Sequence, residues 1–423
     1  MSPNCATPSI QAGGSTPLPN ASLTQQAARP STEPTPRLEF IDGLRALAML
    51  MVLLFHTWAF SGGWHLDIPL GHHKFNLFSV FSIGHIGVSL FLVLSGFCLY
   101  WPFVKGGKRR EMSLKDFAVK RCRRILPPYY IALLLFVLVD IFQIAQGSSQ
   151  TSWAQLASSS GWHLLMLHNM RPEYFFDIDG SFWSLALESH LYIIFPLLVV
   201  VARRFGVRPM LLAALVASTI FRLLAVKTGA PQGDEQVNVL LYSVFARFQE
   251  FALGMFAASI VAHPKGIRAL TRLDYVAGVA VLALSLASHK FGLMEVGKAT
   301  LSGIVFMAIL LAASRPGTLL HRLLTCQPMV RLGVMSYSIY LIHHPVVMTV
   351  GNWAKEHLHS DMARAFFELG LVIPSVLGIG FLFHILFEKP FMKPPTARPQ
   401  ATPPLAAHGL LAHPTPLPSE TQP

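Results

Sequence analysis

The apolar positions of this chain fall in long unbroken runs. They do not alternate as in a strand, and they do not form the single stripe of a water-facing helix. A helix crosses a bilayer with about 20 apolar residues, and ten segments meet that need: 43–61, 79–101, 127–146, 183–201, 209–226, 239–262, 274–290, 297–314, 333–351 and 366–388. Only a short loop around Gly292–Gly297 separates the seventh from the eighth, and the fourth begins in a loop that is itself partly apolar. The pattern predicts an all-α polytopic membrane protein with about ten transmembrane helices. It stops at both ends. Residues 1–38 are rich in Pro, Ser, Thr, Ala and Gln, and 393–423 in Pro and Ala. Such compositions have no core to build and predict disordered tails flanking one membrane domain, 39–392. The first tail lacks a basic stretch followed by an apolar one, so it does not read as a signal peptide.

Composition agrees with this reading: 52% of the 423 residues are hydrophobic and 13% charged, against about a quarter charged in soluble domains. The net charge of +12 says less than its distribution. With the N-terminus inside, the cytoplasmic segments collect 23 Lys and Arg residues and the outer loops 7, with Arg45, Arg222 and Arg247 left inside spans. That bias predicts cytoplasmic N- and C-termini and an even number of spans in the cell membrane. The basic residues set topology and meet lipid, so no nucleic-acid partner is expected. Cys5, Cys98, Cys122 and Cys326 show no paired spacing, so neither a disulfide framework nor a metal site is expected.

Ionisable residues in a bilayer are costly and mark function. In the first span, Arg45 and His56 are eleven residues apart. This puts them on one helix face, about 16 Å apart along the axis, where they could flank one passage running inward from the cytoplasm. The alternative is a snorkelling arginine and a histidine bonded to a neighbouring helix. The loop 105–124 holds nine basic residues, suited to a phosphorylated ligand or to anionic lipid. Within it Arg121 and Arg124, three apart, would share a helix face toward one anion. At the start of the fourth span, Trp183 and Tyr192 suit an interface. Glu188 could orient His56, bind an acceptor hydroxyl or face water. Ser95–Gly96 reads first as a close helix contact. In the ninth span, Tyr340 and His344 share a face, with His343 turned about 100° away, as cavity lining or packing. Arg247 and Glu250 read as a structural ion pair.

Taken together these stretches resemble the acyltransferase 3 family of integral membrane acyltransferases. The family's Arg-x10-His hallmark is matched by Arg45 and His56 in "IDGLRALAMLMVLLFH". The resemblance continues in order through "GVSLFLVLSGF", "KRCRRILPPYY", "SFWSLALE", "ARFQEFALGM", "SYSIYLIHHP" and "FEKPF", over about residues 38–392. It implies acyl transfer, commonly of acetyl, from a CoA thioester to a hydroxyl, usually of a sugar. It also implies a catalytic role for His56, donor-side roles for Arg45, Arg121 and Arg124, and places Glu188 at the acidic position after Trp-Ser-Leu. Two departures stand out. Ser189 and His190 follow Glu188 where many members carry a second Glu or Gln. A Pro-rich tail stands where many carry an extracytoplasmic SGNH-type domain, which suggests a stand-alone enzyme.

The expected site is therefore His56 and Glu188 as catalytic residues, Arg45, Arg121 and Arg124 toward acyl-CoA as co-substrate, and Trp183, Tyr340 and His343 toward the acceptor. No permanently bound cofactor is expected. His56 would act as general base or carry the acyl group itself. Rival readings are a proton-coupled transporter and an acyl relay feeding a separate transferase. Acceptor, chain length and oligomeric state are not legible.

Overall fold

A computed structural model of the protein describes residues 38–392 apart from 71–72, 106–112, 229–237, 273, 277, 282 and 284–293. The expected tails, the middle of the basic loop and most of the expected seventh span lie outside the described residues.

Among the described residues, eight helices are long and apolar enough to cross a membrane. They correspond to the other expected spans except the ninth. α1 is Glu39–Phe60, α2 Gly87–Lys105, α3 Leu114–Ala145, α4 Trp153–Leu164, α5 Trp183–Phe205, α6 Val207–Thr228, α7 Val244–Ala262 and α8 Met294–Ala313. Two short helices, α9 (Leu319–Leu324) and α10 (Gln327–Val334), lead into α11, Ser336–His357. α12 runs Asp361–Met392 with π-helical turns at Glu368–Val372 and His384–Glu388. α11 is the expected ninth span. At 22 residues it is long enough, but it falls short in hydropathy because Ser336, Ser338, Tyr340, His343 and His344 point into the protein and are buried. The architecture is that of a multi-pass all-α membrane protein. Its one departure among the described residues is a two-stranded ribbon, Asp67–Leu70 against His73–Asn76, between α1 and α2.

Two expected boundaries move. The third span starts at Leu114, not 127, so Arg121 and Arg124 stand on a helix that continues through Pro127 and Pro128. Neighbouring helices make prolines tolerable within membrane helices. The Ser113 side chain caps the start, accepting from the Asp116 backbone N–H at 3.2 Å. The loop before the fourth span also contains a full helix, α4.

α1 is the central post. Leu44, Ala46, Ala48, Met49, Val52 and Leu53 are all buried, and α1 packs against α2, α10 and α11. α2 crosses α7 at close range. A Cβ on Gly96 would strike the Phe251 carbonyl, and one on Gly254 the Val93 carbonyl. The two bare glycine backbones let the helices touch, as the sequence suggested for Gly96. Gly254→Leu is expected to destabilise the fold by about 1–3 kcal/mol or more, seen as a lowered melting midpoint of the detergent-solubilised protein. Gly161→Ala, in an α4 helix position with open space around it, should do the reverse by about 1 kcal/mol. Equal effects would refute the packing account.

Beside this core, before α5, lies a second buried feature. His163 and His168 stack face to face, centroids 3.8 Å apart at 4°. His163 Nδ1 donates to the Ser159 carbonyl at 2.8 Å, while His163 Nε2 and both His168 nitrogens lack partners. Burial pushes His163 down to about 4. Burial and then the neighbouring ring push His168 down to about 2. Folded values below the unfolded value of about 6.5 mean that the stability of the neutral pair is complete above about pH 6.5. It is lost as pH falls toward and through 4. The melting midpoint should therefore fall between pH 6 and 4, and His168→Phe should flatten that slope.

Candidate active site

The ninth-span motif meets the first-span histidine. His343, buried in α11, places Nδ1 2.7 Å from the Tyr340 carbonyl, and its Nε2 lies 2.9 Å from His56 Nδ1. A carbonyl only accepts, so a neutral His343 carries its proton on Nδ1 and accepts through Nε2. His56 must then donate from Nδ1. Its Nε2 is left with a free lone pair, the form a general base needs. The ring is held by Phe60, stacked at 5.8 Å and 22°, and by His344, edge-on at 4.9 Å.

His56 and His344 line a cavity of about 610 Å³ with Trp183, Tyr340, Arg222 and Arg247. That volume lies in the range of ligand pockets, about 300–1,000 Å³. One wall is aromatic: Trp183 stacks on Phe175 at 5.7 Å and 20° and meets Tyr242 edge-on at 4.9 Å. His344 Nδ1 sits 3.8 Å from Asp179 Oδ1, an oxygen that accepts from Ser181 N and Oγ, each at 2.7 Å. Burial pushes the Asp179 carboxyl up to about 7 against those two bonds. Gly180 lies under the His344 ring, where a Cβ would come within 2.6 Å of Cε1.

A second cavity, about 100 Å³, is lined by Arg45, Arg121, Arg124, Ser95, Cys98, Glu188, Tyr192 and Tyr340. Three guanidiniums converge here; Arg121 and Arg124 face the one cavity that their spacing suggested, and Arg45 joins them from α1. Arg45 bonds to Asp42 at 3.3 Å and to Cys98 Sγ at 3.4 Å. Arg121 lies over the Tyr192 ring at 5.8 Å, with its buried Nε unpartnered. Glu188 accepts from Ser95 Oγ and from Tyr192 OH. The donor set fits a phosphorylated ligand: cations outnumber carboxylates, and one buried N–H waits for an acceptor.

This geometry revises three expectations. Arg45 and His56 do not line one continuous cavity. They line different cavities that adjoin at Val88 and Tyr340, the two residues common to both walls. Glu188 also stands apart from His56, one cavity away among the arginines. Its spacing from Trp183 fixes its height in the bilayer, but the rotation of α5 turns it toward α2, where Ser95 holds it. His343 lies behind His56 and not on the cavity wall, while Trp183 and Tyr340 do line cavities. His190 is buried with neither nitrogen partnered.

The ion pair expected between Arg247 and Glu250 is present, whereas Arg222 carried no expected role and Arg247 no expected place at the site. Arg247 is paired with Glu250 and also donates to Ser89 Oγ at 3.1 Å, yet it faces the His56 cavity. A charge inside a span was the available signal for both arginines. In the closing "FEKPF", Glu388 accepts from Ser338 Oγ at 2.5 Å and bonds His384 at 2.8 Å, anchoring α11 to α12.

Comparison with known proteins gives this geometry its context. The chain is 24% identical over 334 residues to the peptidoglycan O-acetyltransferase OatA of Listeria monocytogenes, covering 73% of this chain and 49% of that protein. It is 24% identical over 328 residues to the O-acetyltransferase OatA of Staphylococcus aureus, covering 74% and 51%. The chain thus spans about half the length of the curated relatives it matches. No solved structure matches it. A family model described as an acyltransferase domain matches residues 38–386, a stretch that takes in both cavities and every motif but the last, and by that match the chain belongs to the acyltransferase 3 family.

Proposed function

We propose that the protein is a membrane O-acyltransferase that moves an acyl group, acetyl first among candidates, from cytoplasmic acyl-CoA to a hydroxyl of a cell-envelope sugar. The relatives named as peptidoglycan O-acetyltransferases support a sugar of that polymer as acceptor. The charge bias supports a cytoplasmic side of the plasma membrane for both termini and for the arginine cavity. The observation that carries the reading is the His56–His343 bond beside the junction of the two cavities: it supplies an oriented base between a cationic site and an aromatic-walled one.

In this scheme Arg121, Arg124 and Arg45 bind the donor's phosphates, and Glu188, fixed by Ser95 and Tyr192, spaces the guanidiniums. The donor's thin arm reaches His56 where the two cavities adjoin, and the Val88 and Tyr340 side chains part to admit it. The acceptor oxygen attacks the thioester carbonyl carbon while His56 Nε2 takes the hydroxyl proton. The C–S bond then breaks and the thiolate takes that proton back, leaving an ester and free CoA. His343 accepts from His56 Nδ1–H throughout and so stabilises the imidazolium between the two steps.

The test is reconstitution of the purified chain in vesicles, with labelled acetyl-CoA on the arginine side and peptidoglycan fragments on the other. Labelled ester and an equal amount of free CoA are expected. Flux of either compound without ester formation would refute the reading. Arg121→Gln should raise KM for acetyl-CoA roughly 10- to 100-fold, since bonds to charged groups are each worth about 1.5–3 kcal/mol, with little change in kcat.

A further inference from the structure

The His56 cavity contains a cation that the transfer scheme leaves unused. Among the described residues, three Lys or Arg side chains line it: Arg222, Arg247 and Lys298. Two are answered. Arg247 donates from Nε and Nη2 to the two oxygens of Glu250, and Lys298 Nζ lies 3.9 Å from Glu295 Oε1. Arg222, on α6, is 1% exposed. Its bonds go to uncharged oxygens: Nε to the Ser218 carbonyl at 3.3 Å and Nη2 to Thr300 Oγ1 at 2.6 Å. Thr300 is braced in turn by Gln249 Nε2 at 2.9 Å. Arg222 Nη1 is buried with no partner.

A guanidinium buried in a membrane protein without a bonded counter-charge is unfavourable as it stands. Packing does not require it there, since its aliphatic stem could be supplied by an apolar residue. What the arrangement does provide is orientation. Thr300 and Ser218 fix the plane of the fork, so the Nη1 donors are held ready and a ligand need not order them. A planar cation of this kind selects carboxylate or phosphate oxygens. The same cavity offers the aromatic wall of Phe175, Trp183 and Tyr242 for the apolar face of a sugar ring, and the His56 base for its hydroxyl.

We propose that the acceptor is an anionic saccharide, whose carboxylate or phosphate oxygen is held by Arg222 Nη1 while the hydroxyl to be acylated lies at His56. This rests on the reading of the His56 cavity as the acceptor's. The site makes Arg222 a specificity-determining residue that favours anionic over neutral sugars, because only an anion bonds to its free Nη1 donors.

The experiment uses the full chain in phosphatidylcholine nanodiscs and two probes with the same ring, methyl glucuronoside and methyl glucoside, measured by equilibrium binding. The glucuronoside is expected to bind at least about tenfold more tightly, the scale of a bond to a charged group. Arg222→Gln should bring the ratio to about one. Arg222→Lys, which keeps the charge but not the fork, should reduce it severalfold and serves as the decisive variant if Arg222→Gln does not fold. His56→Ala should keep the full ratio while losing acyl transfer, so anion recognition and the transfer scheme fail separately. Equal binding of the two sugars by the unaltered protein, or a ratio untouched in a folded Arg222 variant, overturns the proposal. So does loss of discrimination when phosphatidylglycerol replaces a third of the lipid, because the site would then belong to a lipid headgroup.

Discussion

His56→Ala is expected to lower acyl transfer by about 10²–10⁴-fold, the range that general acid–base catalysis supplies. The loss should fall on kcat. Acyl-CoA affinity should hold, because the cationic donor cavity is lined by other residues. The folded state should also survive, since His56 is only half-buried and its one hydrogen bond is to His343. Stopped-assay ester formation, CoA binding and a thermal melt on the same preparation separate these claims. A variant that kept a tenth of the activity would remove His56 from the chemistry. A variant that lost activity and CoA binding together would make it a structural residue of the donor site.

The second large effect is expected at His343. Removing its ring takes away the acceptor that fixes His56 with its proton on Nδ1 and its lone pair on Nε2. His343→Ala should lower kcat by about 100-fold, in keeping with the 10–100-fold cost of removing the partner that orients a functional histidine. KM for either substrate should stay within about twofold. His343→Gln restores an acceptor, since the Gln carbonyl oxygen can take the His56 Nδ1–H, and should recover about tenfold of the loss. His343→Leu should not, although it fills similar space. If Gln and Leu behaved alike, His343 would be acting by packing alone.

Much of the membrane domain was legible from local chemistry. The length of the apolar runs sets the number and position of the spans, because transfer from water to lipid is a property of each segment on its own. The helical repeat puts Arg121 and Arg124 on one face whatever they pack against, and in the structure they line one cavity. Gly96 announced a close helix contact because nothing but hydrogen fits there. Even α11 was legible as a long helix, although its inward polar residues lower its hydropathy below that of the other spans.

What the sequence by itself determined, then, was a multi-span helical protein with Arg45 and His56 on one face of its first helix, a basic cluster beside the second and third helices, and polar groups in the ninth span. Only the tertiary structure decided which of these meet. It turned Glu188 to Ser95 and the arginines, set His343 behind His56, divided the expected passage at Val88 and Tyr340, and brought Arg222 from α6 into the His56 cavity. The reason is physical. Insertion into the bilayer depends on each segment's own composition, whereas the rotation and neighbours of each helix depend on contacts between segments far apart in the chain. Those contacts are made by small residues and buried hydrogen bonds that carry no periodic signal.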